Sequence, residues 1–166
     1  MKILIFGDTH VPHRYKEIPK TVIEEAKKCD LVIFTGDFTD ISVLQMLEKE
    51  IGKDKFKAVY GNCDPQEIRD VLPETLLLKI KNKRIGVCHG FGNPKEIVED
   101  VKKFLTEKYG KLDIIIFGHS HHPICKEIGG ILFINPGSPN DTIYAPFNSY
   151  AVLEINKEIN AKIVRL

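Results

Sequence analysis

The sequence predicts an α/β fold in which mixed β-structure is covered by helices on the outside. Three short apolar runs, residues 3–6, 31–34 and 114–117, are rich in β-branched side chains and are typical of strands buried on both faces. Between such runs, apolar residues recur at helical spacing. A helix between two strands favours parallel pairing, because parallel strands need a crossover connection. Later strand-like segments follow one another without helices, so antiparallel pairing is also expected and a purely parallel sheet is disfavoured.

The first half of the chain alternates between strand and helix patterns. Apolar residues over 18–26 recur at helical spacing among lysines and glutamates, which predicts an amphipathic crossover helix of about four turns. A second, shorter stripe over 41–47 predicts another helix before a strand at 56–60. The strand-helix-strand alternation expected of parallel pairing therefore extends to residue 60.

Two N-cap patterns predict the next helices. Asp64 is followed by Pro65, an arrangement that favours an N-cap and a proline in the first turn of a short helix. Residues 93–96 repeat this pattern before the clearest helical stripe of the chain, 97–105, and Gly110 lies just past its end.

The remaining apolar segments predict strands. Segments 76–80 and 84–88 are separated by three polar residues and have the pattern of a β-hairpin. Segments 131–134, 149–155 and 161–164 then follow in succession. The second half is therefore expected to form a mixed sheet that closes against the first, with helices outside.

Length and composition favour one ordinary domain. The chain has 166 residues, of which 43% are hydrophobic and 28% charged, so we expect a single domain over 1–166. A net charge of +1 argues against nucleic acid held by a broad cationic surface. No apolar run approaches the roughly 18 residues of a membrane span. Scattered cysteines without a CxxC pair indicate reduced thiols, so we expect a soluble cytoplasmic protein: Cys29, Cys63, Cys88 and Cys125.

Five apolar runs end in side chains that can bind a metal. These side chains are Asp8, His10, Asp37, Asn62, His89, His119 and His121. Because ligands of open α/β sheets bind outside the carboxyl ends of the strands, we expect the five loops to form one site. Oxygen and imidazole donors suit divalent Mn, Fe, Ni, Co or Zn, and the carboxylate of Asp37 has two oxygens with which to bridge two ions.

A glycine precedes a candidate ligand in four of these loops. Glycine lacks a Cβ, so it permits a sharp turn and a close approach of the chain to a metal. The four positions are Gly7, Gly36, Gly61 and Gly118.

The motifs in these loops resemble the signature of the calcineurin-like metallophosphoesterases in order and spacing. They are GDTH at 7–10, GDFTD at 36–40, GNCD at 61–64, HG at 89–90 and GHSHH at 118–122. The small size, the GNCD form and the INPGS segment at 134–138 are most similar to the compact bacterial and archaeal phosphodiesterases. That branch also contains the eukaryotic retromer scaffold subunit.

The resemblance implies a fold, a cofactor and a reaction. The fold would be a four-layer α/β/β/α sandwich of two mixed sheets flanked by helices. The cofactor would be two divalent metal ions, Mn or Ni foremost, with Fe, Co, Zn or Mg as alternatives. A hydroxide bridging both ions would hydrolyse a small phosphodiester.

The resemblance also assigns ligands to each ion. One ion would be bound by Asp8, His10, Asp37 and His121. The other would be bound by Asp37, Asn62, His89 and His119. Asp37 would thus bridge the ions, and Asn62 would also contact the phosphate.

One position departs from the family pattern. Many relatives have a histidine after the asparagine, which is thought to protonate the leaving alkoxide, whereas this chain has Cys63. A thiol is a poorer acid for that step, so His122 is a candidate substitute acid or phosphate contact, with His13 as the weaker choice. Asp40 and Asp64 are expected to be structural, as helix caps or as acceptors for a ligand imidazole.

Two other functions stay open at this point. The chain could be a non-catalytic protein-binding scaffold of the retromer-subunit type, although that lineage has lost ligand histidines that this chain has. It could be a nuclease, but relatives with that role generally have added domains, so we expect no stable nucleic-acid binding and no membrane partner. The similarity further suggests a homo-oligomer, either a dimer or a tetramer.

Overall fold

Two mixed five-stranded sheets pack face to face, with helices on both outer sides, in a computed structural model that describes residues 1–166. The strands are β1 (Lys2–Phe6), β2 (Leu31–Phe34), β3 (Phe56–Ala58), β4 (Thr75–Ile80), β5 (Lys83–Cys88), β6 (Ile114–Ile116), β7 (Ile124–Ile128), β8 (Ile131–Asn135), β9 (Ser149–Ile155) and β10 (Ile159–Arg165). The helices are α1 (Lys20–Lys27), α2 (Ile41–Ile51), α3 (Gln66–Val71) and α4 (Ile97–Tyr109). This arrangement confirms the α/β/β/α sandwich.

Each sheet combines three parallel strands with two antiparallel pairings. The first sheet has the order β10-β9-β1-β2-β3, in which β1, β2 and β3 are parallel and β9 and β10 are antiparallel. The second has the order β4-β5-β6-β8-β7, with β5, β6 and β8 parallel and the outer strands antiparallel. The predicted hairpin is β4 and β5. The parallel strands of each sheet therefore end in loops on one edge.

Alternation along the buried strands divides the core into three layers. In β1, Leu4 and Phe6 pack with α1, α2 and α3, whereas Ile3 and Ile5 face the second sheet. The third layer joins α4 to the outer face of the second sheet. Because these strands are buried on both faces, their sequences are continuous apolar runs rather than alternating ones.

Several local predictions differ from the structure. Helix α1 has eight residues, about two turns rather than four, because Pro19 stands at its N-cap. Helix α2 has 11 residues and is therefore longer than α1, not shorter. Strand β7 was not predicted, because it is an edge strand with exposed Lys126 and Glu127 and has no continuous apolar run. In the sequence, only the Gly129–Gly130 turn indicates its hairpin with β8.

Asp40 is a helix cap, as expected. Its carboxylate accepts hydrogen bonds from the Ser42 backbone N–H at 2.8 Å and from the Ser42 hydroxyl at 2.6 Å. Asp40→Ala should lower the free energy of unfolding by about 1 kcal/mol, because an α2 donor loses its partner. In a chain of this size that loss corresponds to a melting temperature lower by about 2–4 °C. Asp40→Asn should melt close to the wild type, since asparagine caps equally well; equal stability of the alanine variant would contradict the capping role.

The longest helix, α4, has 13 residues, and no helix is long and apolar enough to cross a membrane.

Candidate metal centre

All seven candidate ligands lie together at the edge where β1, β2, β3, β5 and β6 end. One group of donor atoms surrounds His10, whose Nε2 lies 3.2 Å from Nε2 of His121 and 3.5 Å from Oδ2 of Asp37. Nε2 of His121 in turn lies 3.5 Å from Oδ1 of Asp8. These four residues are the set that the resemblance assigns to the first ion.

A second group of donor atoms surrounds Asn62. Its Oδ1 lies 3.0 Å from Nε2 of His89 and 2.9 Å from Nδ1 of His119. Nε2 of His89 lies 3.5 Å from Oδ2 of Asp37, the same oxygen that faces His10. Asp37 therefore contacts both groups, which is the position that a bridging carboxylate requires.

The spacing of these donors fits divalent metal ions. Ligand atoms bonded to one ion at about 2.1 Å, in tetrahedral or octahedral geometry, lie about 3.0–3.4 Å apart. The separations within both groups, 2.9–3.5 Å, match that range.

The charges of the site also fit a cation. Asp8 and Asp37 are buried, and neither forms an ion pair with a lysine or an arginine. Burial, and next the negative charge of Asp37, raise the pKa of the Asp8 carboxyl well above its ordinary value. Two adjacent buried carboxylates without a cationic side chain are costly, and bound divalent ions would remove that cost.

Three of the four histidines have one ring nitrogen turned away from the centre and hydrogen bonded. Nδ1–H of His89 donates to the Thr35 carbonyl at 2.7 Å, and Nε2–H of His119 donates to the Gly92 carbonyl at 3.3 Å. Nδ1–H of His121 donates to the carboxylate of Asp141. We assign these tautomers from the partners, since a carbonyl or a carboxylate can only accept. The opposite nitrogen of each ring is then a free lone pair facing the centre.

Burial favours the neutral form of two histidines of the centre, His10 and His89. It lowers the pKa of His10 to about 4, with the charge of Asp37 opposing the shift, and it also lowers the pKa of His89. Neutral imidazole is the form that binds metals.

The backbone is strained where the side chains converge. Seven residues other than glycine have positive φ, and five of them are candidate ligands: Asp8, His10, Asp37, His119 and His121, with φ between 49° and 66°. This left-handed conformation is uncommon for residues with a side chain and costs free energy. Strain concentrated at one point of a fold indicates a functional site.

Asp64 and Arg69 fix the loop that contains Asn62. The Asp64 carboxylate accepts backbone N–H groups of Asp37, Thr39 and Gly61 at 2.7–3.0 Å, which ties this loop to the loop of Asp37. Asp64 is structural, as expected, but the two predicted roles are wrong. It does not cap α3, and it does not accept a hydrogen bond from a ligand imidazole. The Arg69 guanidinium donates to three carbonyls of residues 61–64, a contact that the sequence did not indicate.

Residues 135–141 support the other side of the centre. Nδ2 of Asn135 donates to the Gly118 carbonyl and to the Ser120 hydroxyl, which holds the loop of His119 and His121. The Ser138 hydroxyl donates to the Asp8 carbonyl at 2.8 Å. Sequence reasoning connected this segment to the site only through the INPGS resemblance, and it missed Asp141 entirely.

The candidate proton donors occupy different places. The Cys63 thiol lies beside Asp37, and burial, followed by the Asp37 charge, raises its pKa to about 11. A thiol with that pKa is poorly matched to proton donation near neutral pH. His122 is exposed at the mouth of the central cleft, with its Nδ1–H donating to the Ser120 carbonyl at 2.7 Å. His13 is exposed and does not line the cleft.

Two cavities meet at Asn62. The central cleft, of about 300 Å³, is lined by His10, Asp37, Asn62, His119 and His121, with Arg14 as its only lysine or arginine. A second cavity of about 280 Å³ lies on the other side of Asn62 and His89. Its walls include three aromatic side chains: Tyr60, Phe91 and Phe104.

Comparisons with known proteins agree with this architecture. Residues 1–158 match the family model described as the calcineurin-like phosphoesterase superfamily domain. A probable metallophosphoesterase of Methanocaldococcus jannaschii is 34% identical over 168 residues, covering 99% of this chain and 81% of the relative. A phosphodiesterase of the same organism is 28% identical over 150 residues, covering 82% of this chain and 83% of the relative.

Two solved structures have the same fold over almost the whole chain. A Thermotoga maritima protein, TM1076, is 33% identical, with a TM-score of 0.77 and 99% coverage of both chains. Wild-type Vps29 from Entamoeba histolytica, in complex with Zn²⁺, is 26% identical, with a TM-score of 0.73 and 99% coverage of both.

Proposed function

The chain belongs to the calcineurin-like phosphoesterase superfamily, and from this premise we propose that it is a metal-dependent phosphodiesterase. The observation that carries the proposal is the convergence of seven side chains whose oxygen or nitrogen atoms can bind a metal, in two groups joined by Asp37. The phosphodiesterase relative of M. jannaschii and the zinc complex of Vps29 support a metal-dependent diesterase on this fold.

The two groups of donors would each hold one divalent ion. Asp8, His10, Asp37 and His121 would hold the first. Asp37, Asn62, His89 and His119 would hold the second. When bound, two such ions supply a hydroxide nucleophile near neutral pH and offset the negative charge of the phosphate. Asp37 would be shared by both groups, and the hydrogen bonds that orient His89, His119 and His121 would hold the remaining nitrogen of each ring toward the ions.

Three residues at the cleft would contact the substrate. Asn62 is exposed, and its amide Nδ2 is engaged only by the Cys63 sulfur at 3.3 Å, so it is available to a phosphate oxygen. The Arg14 guanidinium lies over the Tyr144 ring at the cleft, where it would attract the phosphate charge. Nδ1–H of His122 is used by the Ser120 carbonyl, so His122 would contact the phosphate as an imidazolium, with Nε2–H donating to a phosphate oxygen.

The two cavities favour a diester over a monoester. A phosphodiester has two ester groups, and cavities on both sides of Asn62 would give each group its own space. A monoester would leave the aromatic cavity of Tyr60, Phe91 and Phe104 without an occupant.

The test is metal-dependent hydrolysis by the purified chain. The protein is stripped with chelator, reloaded with Mn²⁺, Ni²⁺, Zn²⁺ or Mg²⁺, and assayed on bis(4-nitrophenyl) phosphate, 4-nitrophenyl phosphate, cyclic nucleotides and single-stranded DNA. We expect diester turnover that needs metal and exceeds monoester turnover. Single-stranded DNA as the best substrate would favour a nuclease. A folded, metal-loaded protein that turns over nothing would favour the alternative of a non-catalytic protein-binding scaffold.

His122→Ala should lower kcat/KM for the diester by about tenfold, the equivalent of one hydrogen bond of about 1.4 kcal/mol to a charged phosphate. Kinetics are measured at saturating metal, so that the contact is separated from metal binding. His13→Ala is the matched control, because His13 is also an exposed histidine but lies outside the cleft, and it should behave as wild type. Unchanged kinetics in His122→Ala would remove His122 from the site.

A further inference from the structure

A single buried carboxylate organises the loop behind His121. Asp141 is 1% exposed and accepts hydrogen bonds from the Tyr15 hydroxyl at 2.6 Å and from Nδ1–H of His121. It also accepts three backbone N–H groups, those of Ile143, Tyr144 and Ala145. We call these residues, Tyr15, His121, Asp141 and 143–145, the Asp141 hub.

The hub requires a carboxylate. Five donors converge on Asp141, and an ionised carboxylate suits them because both of its oxygens only accept; the Tyr144 N–H is shared between the two oxygens. An amide at the same position would turn its NH₂ group toward some of these donors. Burial alone would raise the pKa of Asp141, but the hydrogen bonds from Tyr15, the Ile143 backbone and His121 lower it below its ordinary value.

The hub determines which nitrogen of His121 faces the centre. With Nδ1–H held by Asp141, Nε2 is a lone pair directed at Oδ1 of Asp8, 3.5 Å away, and at Nε2 of His10, 3.2 Å away. The reverse tautomer would place an N–H in the centre and would leave Nδ1, as an acceptor, against a carboxylate. The contact between His121 and Asp141 therefore excludes the tautomer that cannot bind a metal.

The hub also holds part of the cleft wall. The backbone N–H groups of Ile143, Tyr144 and Ala145 fix the turn that presents the Tyr144 ring edge-on to His121, at 5.9 Å and 90° between ring planes. His121 is thus constrained by a hydrogen bond on one side and by an aromatic ring on the other.

We propose that Asp141 is a positioning residue that makes the ion held by Asp8, His10, Asp37 and His121 depend on a carboxylate outside the ligand set. This inference rests on the proposed function only for the identity of the ligands, and it requires no hydrolysis. It predicts unequal effects on the two ions, because the hydrogen bonds of the hub do not include Asn62, His89 or His119.

The experiment compares Asp141→Asn with wild type by calorimetric titration of the chelator-stripped protein with Mn²⁺ and Zn²⁺, and by metal content after gel filtration. We expect one of two binding events to weaken by about 10- to 100-fold, the usual effect of removing a partner that orients a metal-binding histidine. The other event should keep its wild-type affinity. Asp40→Asn is the matched control, because it makes the same substitution at a half-buried helix cap outside the ligand set.

A second measurement keeps the inference testable if Asp141→Asn does not fold. Long-range ¹H–¹⁵N spectra of the wild-type apoprotein report the tautomer of each histidine directly. We expect the Nδ1–H tautomer for His121, and the Nε2–H tautomer would overturn the inference. Wild-type affinity for both ions in Asp141→Asn would also overturn it. Metal binding without diester turnover in the wild type would instead overturn the proposed function and leave the role of Asp141 intact.

Discussion

Asp37→Asn is expected to weaken the binding of both metal ions and to lower diester kcat/KM by more than about 100-fold, because loss of a residue that only orients a ligand already costs about 10- to 100-fold. Oδ2 of Asp37 lies 3.5 Å from both His10 and His89, one in each group of donors. Asparagine is close to isosteric but removes the negative charge, and its NH₂ group cannot ligate. Both ions should therefore lose a shared anionic ligand at once.

The measurement is metal content per chain together with steady-state kinetics at several metal concentrations. Asp40→Asn is a suitable control, since it lies three residues further along the same loop but points its carboxylate at Ser42 rather than at the centre. We expect the control to keep two ions and full activity. Near-wild-type metal content in Asp37→Asn would contradict the bridging role, and loss of only one ion would show that Asp37 serves a single metal.

The strands and the convergence of the site could be predicted because both follow from local patterns. Runs such as 31–34 and 114–117 are apolar on both faces, and only a strand between two layers has that environment in this fold. Polar residues directly after such strands must lie at one edge when the strands are parallel. The family resemblance added the allocation of ligands between two ions, which the residues alone left open.

Residues that orient the ligands could not be predicted, because their partners are distant in the chain. Asp141 joins Tyr15, 126 residues away, to His121, and nothing in the local sequence distinguishes it from an ordinary turn aspartate. Asp64 has the local pattern of an N-cap, yet tertiary contacts with the Asp37 loop determine its role. The length of α1 was also misjudged, because apolar spacing from Ile18 continues through Pro19, where the helix only begins.

Substitution of Gly61, the glycine before Asn62, is also expected to have a large effect on metal binding. A Cβ at Gly61 would collide with Oδ1 of Asp37 and would lie 2.6 Å from the Asp37 backbone nitrogen. The backbone cannot move aside easily, because the Gly61 N–H donates at 2.7 Å to the Asp64 carboxylate, which also accepts from Asp37 and Thr39 in the other loop. Gly61→Ala should therefore displace Asp37 or Asn62, and both are candidate ligands.

We expect Gly61→Ala to weaken metal binding by more than about 100-fold, as loss of a shared ligand would, and to lower apoprotein stability by about 1–3 kcal/mol through overpacking. Gly110→Ala separates these two effects. Gly110 ends α4 with φ +72° and ψ −146° and has no atom within 4 Å of an added Cβ, so alanine should cost about 1–3 kcal/mol of backbone strain there. Thermal melts should thus show similar losses for both variants, whereas only Gly61→Ala should lose metal. If both variants bound metal equally well, contact between the Gly61 and Asp37 loops would not control the centre.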